Sequence, residues 1–235
     1  LKACGNLQVI DKDSKIHDDI INNGLCLMEK NVMLGTALVD MYAKCGMLEK
    51  AQEVHRALPH RDVVSWATLI SGYGQHEQNH EALDCFEQMK SEGVTPNEVI
   101  FTCNLKACGS IGAINMAEQI HEEIVEKGLL EKDGMLGTAL VDMYVKCGLL
   151  GKAREVHNKI QIRDVVAWNT LIAGYAKHGH NHEVMKCFEQ MHIENLIPDA
   201  ITFLCLLNAC GHLGRLDEAQ MYFNSMTGKY GILPN

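Results

Sequence analysis

LVDMYAKCG, from Leu38 to Gly46, returns as LVDMYVKCG from Leu140 to Gly148, with one change across an offset of 102 positions. The longer stretch DVVSWATLISGY, Asp62 to Tyr73, returns at the same offset as DVVAWNTLIAGY, Asp164 to Tyr175. An offset shared by two separate stretches means that a whole block of structure is written twice. Self-similarity at a fixed spacing is the mark of a repeat architecture, and it decides the fold class before composition does.

The long offset resolves into shorter ones. Gly46, Gly112, Gly148, Gly179 and Gly214 fall at matched places, Glu77 stands in at one more, and the successive steps are 31, 35, 36, 31 and 35. Five residues beyond each comes Ala51, Ala82, Ala117, Ala153, Val184 or Ala219, small where two helices must approach closely. Within a unit the apolar spacing is helical, as in Trp66, Leu69, Ile70 and Tyr73 and again in Ala82, Leu83, Phe86 and Met89. Each unit therefore reads as two helices with a break at the Gly or at a polar cluster such as HEQNH, where Asn79 is placed to cap the second helix. That helix should stop before Gly93 and Pro96, and its later counterpart before Leu196 and Pro198, because proline cannot continue a helix. A lone pair cannot bury its apolar stripe, so neighbouring pairs must stack and share one elongated core.

Composition narrows the function. With 47% hydrophobic residues in 235 and no long polar tract, the chain should fold. No apolar run approaches the roughly 20 residues needed to span a bilayer, and the start, LKACGNLQVI, has neither signal-peptide nor transit-peptide character. Lacking an initiator Met, the chain reads as an internal fragment whose targeting segment, if there is one, lies upstream. A net charge of −9 argues mildly against a binder that works by covering phosphate with Lys and Arg. Nine of the ten cysteines recur once per unit: Cys4, Cys108 and Cys210; Cys45 and Cys147; Cys85 and Cys187; Cys103 and Cys205; only Cys26 stands alone. Recurrence without any C-x-x-C pair fits small buried residues in a reducing compartment better than disulfides or zinc.

The units resemble a known family. The 35, 36 and 31 alternation, carried by VVAWNTLIAGYAKHG with FEQMHIENLIPD, by ITFLCLLNACGHLGRLDEA and by MLGTALVDMYVKCGLLGKAREVHNKIQIRD, is similar to the pentatricopeptide repeat proteins of the plant PLS class. The resemblance covers the whole chain. It implies an all-α, right-handed superhelical solenoid of helix-turn-helix repeats, with about thirteen helices. In that register the chain divides into a truncated long repeat at 1–31 that has lost its first helix, a short repeat at 32–62 and a P repeat at 63–97. A long repeat at 98–133, a short repeat at 134–164, a P repeat at 165–199 and a long repeat at 200–235 follow.

The resemblance also implies a ligand, single-stranded RNA read one base per repeat. The fifth residue of each unit and its last residue would select the base: Thr36 with Asp62, Ala67 with Asn97, Thr102 with Asp133, Thr138 with Asp164, Asn169 with Asp199, and Leu204 with Asn235. By the family's rules Thr with Asp favours guanine and Asn with Asp favours uracil. Ala67 and Leu204 offer no polar group, so their units should read weakly, and long repeats such as that of Thr102 follow the rules poorly. Met33, Val64, Val99, Met135, Val166 and Ile201, second in each unit, would clamp the base faces, although ordinary helix-start hydrophobes would look the same in sequence. Lys44, Lys146 and Lys177 fall where the family places a lysine near phosphate, while Glu81, Glu87, Glu122 and Glu123 should face outward. Binding should be modest and strongly salt-sensitive.

Catalytic chemistry is not expected in the chain itself. HEE at His121 to Glu123 matches the first zinc-deaminase element by spacing, but no C-x-x-C follows. KHGHNH, Lys177 to His182, falls at an exposed turn too loose for a preformed metal site. The reading is thus no metal, no cofactor and no enzyme. It is the recognition array of an organellar factor, in mitochondrion or chloroplast, that specifies C-to-U editing sites for a deaminase domain beyond this chain. Its partners would be organellar RNA and other RNA-editing proteins, with no membrane and no DNA. The alternative is a protein-binding helical-repeat scaffold, from which the missing W-x-x-L-G-x-x-Y pattern and 34-residue period of tetratricopeptide arrays lead away.

Overall fold

The computed structural model describes residues 32–130 and 134–233, which form twelve α-helices and no strand. The chain divides into two compact units, Leu1–Ala113 and Ile114–Asn235. The first contains α1 (Val32–Lys44), α2 (Leu48–Arg56), α3 (Val63–Gln75), α4 (Asn79–Ser91) and α5 (Glu98–Ile111). The second contains α6 (Ile114–Glu126), α7 (Gly134–Lys146), α8 (Leu150–Lys159), α9 (Val165–Lys177), α10 (Asn181–Ile193), α11 (Ala200–His212) and α12 (Leu216–Gly228). A thirteenth helix would belong to residues 1–31, outside the described residues together with Cys4 and Cys26.

In the first unit α1 packs on α2 and α3, α3 on α4 and α5, and α4 on α5. In the second, α7 packs on α8 and α9, α9 on α10 and α11, and α11 on α12. Within each unit the first helix of one pair thus touches the first helix of the next. The helical spacing explains why: Trp66, Leu69, Ile70 and Tyr73 make one buried stripe on α3, and Ala82, Leu83, Phe86 and Met89 make another on α4. Ala51, Ala82, Ala117, Ala153 and Val184 are fully buried between helices. Two glycines bring the first helices closer still. A Cβ on Gly72 would lie 2.6 Å from that of Ala43, and one on Gly174 2.6 Å from Cγ2 of Val145.

Backbone bonds, not side chains, build the turn inside each pair. Asn79 does not cap α4: it is the first helical residue, and Gln78 occupies the cap place without a side-chain cap bond. Instead the N–H of Gln78 donates back to the Tyr73 carbonyl at 3.0 Å, as Met47 does to Tyr42, Leu149 to Tyr144, His180 to Tyr175 and Arg215 to Cys210. This closure needs a left-handed residue just before it, supplied by Gly46, Gly148, Gly179 and Gly214. Glu77 adopts the same conformation at φ 59 despite its side chain. With two or three residues between helices, the end of the first dictates the start of the second, which leaves Asn79 nothing to cap.

Polar contacts tie successive pairs together. His76 Nε2 meets the Ala43 carbonyl at 2.8 Å and His178 Nε2 the Val145 carbonyl at 3.2 Å, so this part of KHGHNH holds neighbouring first helices. His55 and His157 are buried edge-on against Trp66 and Trp168, with ring centroids 4.4 and 4.3 Å apart. The Trp168 indole donates to Glu194 at 2.8 Å. His121, the first residue of HEE, has Nδ1 2.8 Å from the Tyr144 hydroxyl and packs as an inter-helix contact. The eight described cysteines are free thiols; Cys85, Cys108, Cys187, Cys205 and Cys210 are buried. Burial pushes the Cys85 thiol up to about 12 and that of Cys187 to about 11, which keeps both protonated.

Candidate nucleic-acid interface

The N-terminal ends of the first helices carry the polar groups of interest. Asp62, Asn97, Asp164 and Asp199 each precede such a helix with extended backbone, and each accepts the N–H of the residue three further on, at 2.8, 3.0, 2.8 and 3.0 Å. A cap of this kind is worth about 1 kcal/mol, so these residues have a structural task apart from any ligand. The cap geometry also sets each side chain beside the fifth residue of the preceding first helix.

The second residues of the same helices behave unlike core hydrophobes. Met33, Val64, Val99, Met135, Val166 and Ile201 are between 53 and 84% exposed. Clefts lie between Met33 and Val64, between Val64 and Val99, and between Met135 and Val166. Met33, Thr36, Asp62 and Val64 line one of ≈ 520 Å³, together with Asp40 and Thr68. At the repeat offset, Met135, Thr138, Asp164 and Val166 line its counterpart of ≈ 550 Å³. Val64, Ala67, Asn97 and Val99 line a third of ≈ 360 Å³, where Ala67 contributes only a methyl group and Lys44 stands at the wall. Each cleft therefore has apolar side chains at its two ends, and cap residues with their fifth-position neighbours between them.

The polar groups differ from cleft to cleft. Thr36 and Thr138 donate their hydroxyl hydrogens to the carbonyls of Val32 and Gly134, both at 2.9 Å, and Thr102 does so to Glu98 at 2.8 Å. Beside Asp62 and Asp164 this leaves oxygen lone pairs, acceptors only. Asn169 is different: it is 7% exposed, and its Nδ2 lies 2.9 Å from both carboxylate oxygens of Asp199. Burial alone would raise the Asp199 carboxyl, but hydrogen bonds from Thr202 and Asn169 outweigh it and hold the group below its usual value. Leu204 is exposed beside Ile201 and carries no polar group to the interface. Asp133 and Asn235, expected partners of Thr102 and Leu204, lie outside the described residues.

The lysines fall at the ends of α1, α7 and α9. Lys44 pairs with Asp40 at 2.8 Å and Lys146 with Asp142 at 2.7 Å, one helical turn back. Lys177 has Ala173 at that place and is exposed. Glu81, Glu87, Glu122 and Glu123 sit on the second helices α4 and α6.

Sequence comparison matches the PPR repeat family model at residues 61–110 and 163–212, and the PPR repeat model at 36–63, 138–165 and 201–230. The two together run through residues 36–110 and 138–230. The chain belongs to the PPR family. Among its PPR relatives in Arabidopsis thaliana, one pentatricopeptide repeat-containing protein is 42% identical over 100% of this chain and 42% of its own length. A second, putative one is 38% identical over 94% of this chain and 30% of its own. The chain spans about a third of the length of the curated PPR relatives it matches. Among solved structures, the maize pentatricopeptide repeat protein PPR10 superposes with a TM-score of 0.64 at 24% identity, covering 85% of this chain and 30% of that one. PPR10 in complex with an 18-nucleotide psaJ RNA element gives 0.52 at 19%, covering 95% and 38%. These likenesses establish the shared PPR fold.

Two features of this PPR chain went unread in the sequence although each left a local signal there. One is the Asp40 and Asp142 pairing that occupies two of three lysines; the D-x-x-x-K spacing was present in LVDMYAK as a signal. The other is Thr202, whose Oγ1 lies 2.6 Å from Asn169 Oδ1. Its signal is the D-x-x-T of a capping box, formed by Asp199 and Thr202.

Proposed function

We propose that the chain is a single-stranded RNA-binding array of the PLS class that takes one base per repeat in the clefts between first helices. The observation that carries this reading is the recurrence of one cleft at the repeat offset, Met33, Thr36, Asp62 and Val64 against Met135, Thr138, Asp164 and Val166. Exposed apolar side chains at both ends of a polar cleft suit a flat base with an apolar face and a polar edge. Both clefts fall within the size range of small-ligand sites. A protein-binding scaffold has no comparable need for polar groups renewed at every step.

The polar groups then choose the base. Thr36 with Asp62 and Thr138 with Asp164 present acceptors, and guanine has two adjacent kinds of N–H donor on its Watson–Crick edge. Asn169 with Asp199 presents an amide, which supplies both a donor and an acceptor and suits uracil. Ala67 and Leu204 leave their units nearly indifferent, and Thr102 with Asp133 and Leu204 with Asn235 complete the six. Lys44, Lys146 and Lys177 lie at the opposite ends of the first helices, where a strand crossing the array would place phosphate. The PPR10 complex with RNA shares this fold, which supports RNA as the ligand of the array.

The cellular reading is organellar: this array selects sites for C-to-U editing, alongside other editing proteins and a catalytic domain not contained in this chain. Three of the relatives bear the word mitochondrial in their names, which supports an organellar address, in mitochondrion or chloroplast. Anisotropy titration of a labelled single-stranded RNA tests the binding claim. Val64→Glu and Val166→Glu each place a carboxylate where a base face should rest, and each should weaken binding at least tenfold with the helical signal intact. Unchanged affinity in both would remove the clefts from the binding surface.

A further inference from the structure

Asn169 does not stand alone with Asp199. The Asp199 carboxylate can only accept, so the end of the Asn169 amide that faces both of its oxygens at 2.9 Å must be the nitrogen. The carbonyl end then points to Thr202. That hydroxyl, fully buried, accepts the Asp199 N–H at 3.2 Å, and it has one hydrogen to give. Two acceptors compete for it, Asn169 Oδ1 at 2.6 Å and Asp199 Oδ1 at 3.1 Å, and the shorter contact takes it. The amide is thus held at both ends, by two residues three positions apart at the start of α11.

We infer that Thr202 is a positioning residue for base selection at Asn169, orienting its amide so that uracil is accepted over cytosine. This rests on the reading of Asn169 as the base-contacting group. One N–H shared between the two carboxylate oxygens leaves the second N–H for a ligand, and the carbonyl keeps one lone pair. A held amide therefore offers a donor and an acceptor in one fixed order. Uracil has a donor flanked by acceptors on both sides and can meet either order. Cytosine has one donor followed by two acceptors and can meet only one, which the fixed amide withholds. Without the Thr202 hydroxyl, only Asp199 holds Asn169; the nitrogen stays on the carboxylate, but the carbonyl end rocks about that contact and its aim at the base, and with it the discrimination between the pyrimidines, is lost.

The third residue of the other units carries no such bridge. Ile100, Leu136 and Ala167 have no hydroxyl, and Ser65 donates to the Asp62 carbonyl at 2.9 Å. The device belongs to the one unit whose fifth residue is an amide.

Competition binding with four RNAs that differ only at the base facing Asn169 tests the inference in the intact chain, with Thr202→Val, Thr202→Ser and Asn169→Ala beside the wild type. The wild type should prefer uracil to cytosine by roughly fivefold, the size of one ordinary hydrogen bond. Thr202→Val, nearly isosteric, should bring that ratio close to one while the salt dependence of binding stays unchanged. Thr202→Ser, which keeps the hydroxyl, should keep the ratio. A Val variant with the wild-type ratio, or a Ser variant that loses it as fully as Val, overturns the role of Thr202 alone. A wild type that ranks the four bases as Asn169→Ala does overturns the reading of Asn169 beneath it. Should Thr202→Val not fold, nuclear magnetic resonance of the hydroxyl proton at residue 202 in free wild type and Thr202→Ser decides. A hydroxyl proton protected from exchange and close to the Asn169 side chain supports the bridge, and one that exchanges too fast to observe contradicts it.

Discussion

Gly174 packs so closely on Val145 that a Cβ would stand 2.6 and 2.7 Å from the two methyl groups of that valine. The contact joins α9 to α7, and Gly72 against Ala43 repeats it in the other unit. Adding a methyl group here must push the first helices apart. Gly174→Ala should destabilise the chain by about 1–3 kcal/mol, the usual cost of overpacking. Gly74, on α3 with nothing within 4 Å of its missing Cβ, supplies the contrast. Gly74→Ala, which installs the residue found at Ala176, should stabilise by about 0.5–1 kcal/mol through helix propensity. Urea denaturation midpoints moving in opposite directions would agree with both.

Acid should weaken the fold well above the range where carboxylates titrate. Burial first, then Arg61 for His55 and Arg163 for His157, lowers both histidines from 6.5 to about 4. Asp62 opposes the shift at His55, and Arg154 reinforces it at His157. The unfolded chain therefore takes up protons that the folded chain refuses. Stability present above about pH 6.5 is lost as pH falls towards 4, roughly 2 kcal/mol per histidine between about pH 7 and pH 5. His157→Phe, still able to meet Trp168 edge-on, should remove about half of that dependence in denaturation curves taken across this range.

The fold was legible because one pattern is written twice. The 102-residue offset and the 3.6-residue spacing of Trp66, Leu69, Ile70 and Tyr73 sufficed to define helix pairs and their order. Asn79 misled because capping propensity is local, whereas the turn before α4 is set by the backbone closure onto Tyr73. The apolar second residues were ambiguous in sequence, since a buried and an exposed valine are spelled alike; only packing reveals that Val64 and Val166 face solvent. The bridge from Thr202 to Asn169 spans 33 residues, and no local pattern reports a contact of that range.

Ion pairing within the helices grades the lysines. Lys44 and Lys146 already answer Asp40 and Asp142, whereas Lys177 lacks an acidic residue one turn back. Lys177→Ala should weaken all RNAs alike and reduce the slope of log affinity against log salt by about 0.7, the share of one phosphate on a single strand. Lys44→Ala should do less. Asp40→Asn, which releases Lys44 from its partner, should strengthen binding. Titrations at several salt concentrations distinguish the three.

Base choice at a single repeat is the central claim, and Asn169→Thr tests it most directly. The substitution leaves Asp199 as cap and acceptor but replaces the amide with a hydroxyl that can donate to its own helix, as Thr36 and Thr138 do. Competition binding with four RNAs differing at that one base should show the preference moving from uracil towards guanine, by roughly 1 kcal/mol. An unchanged ranking of the four bases, with Lys177→Ala altering it instead, would contradict the account and leave a protein-binding scaffold as the better description.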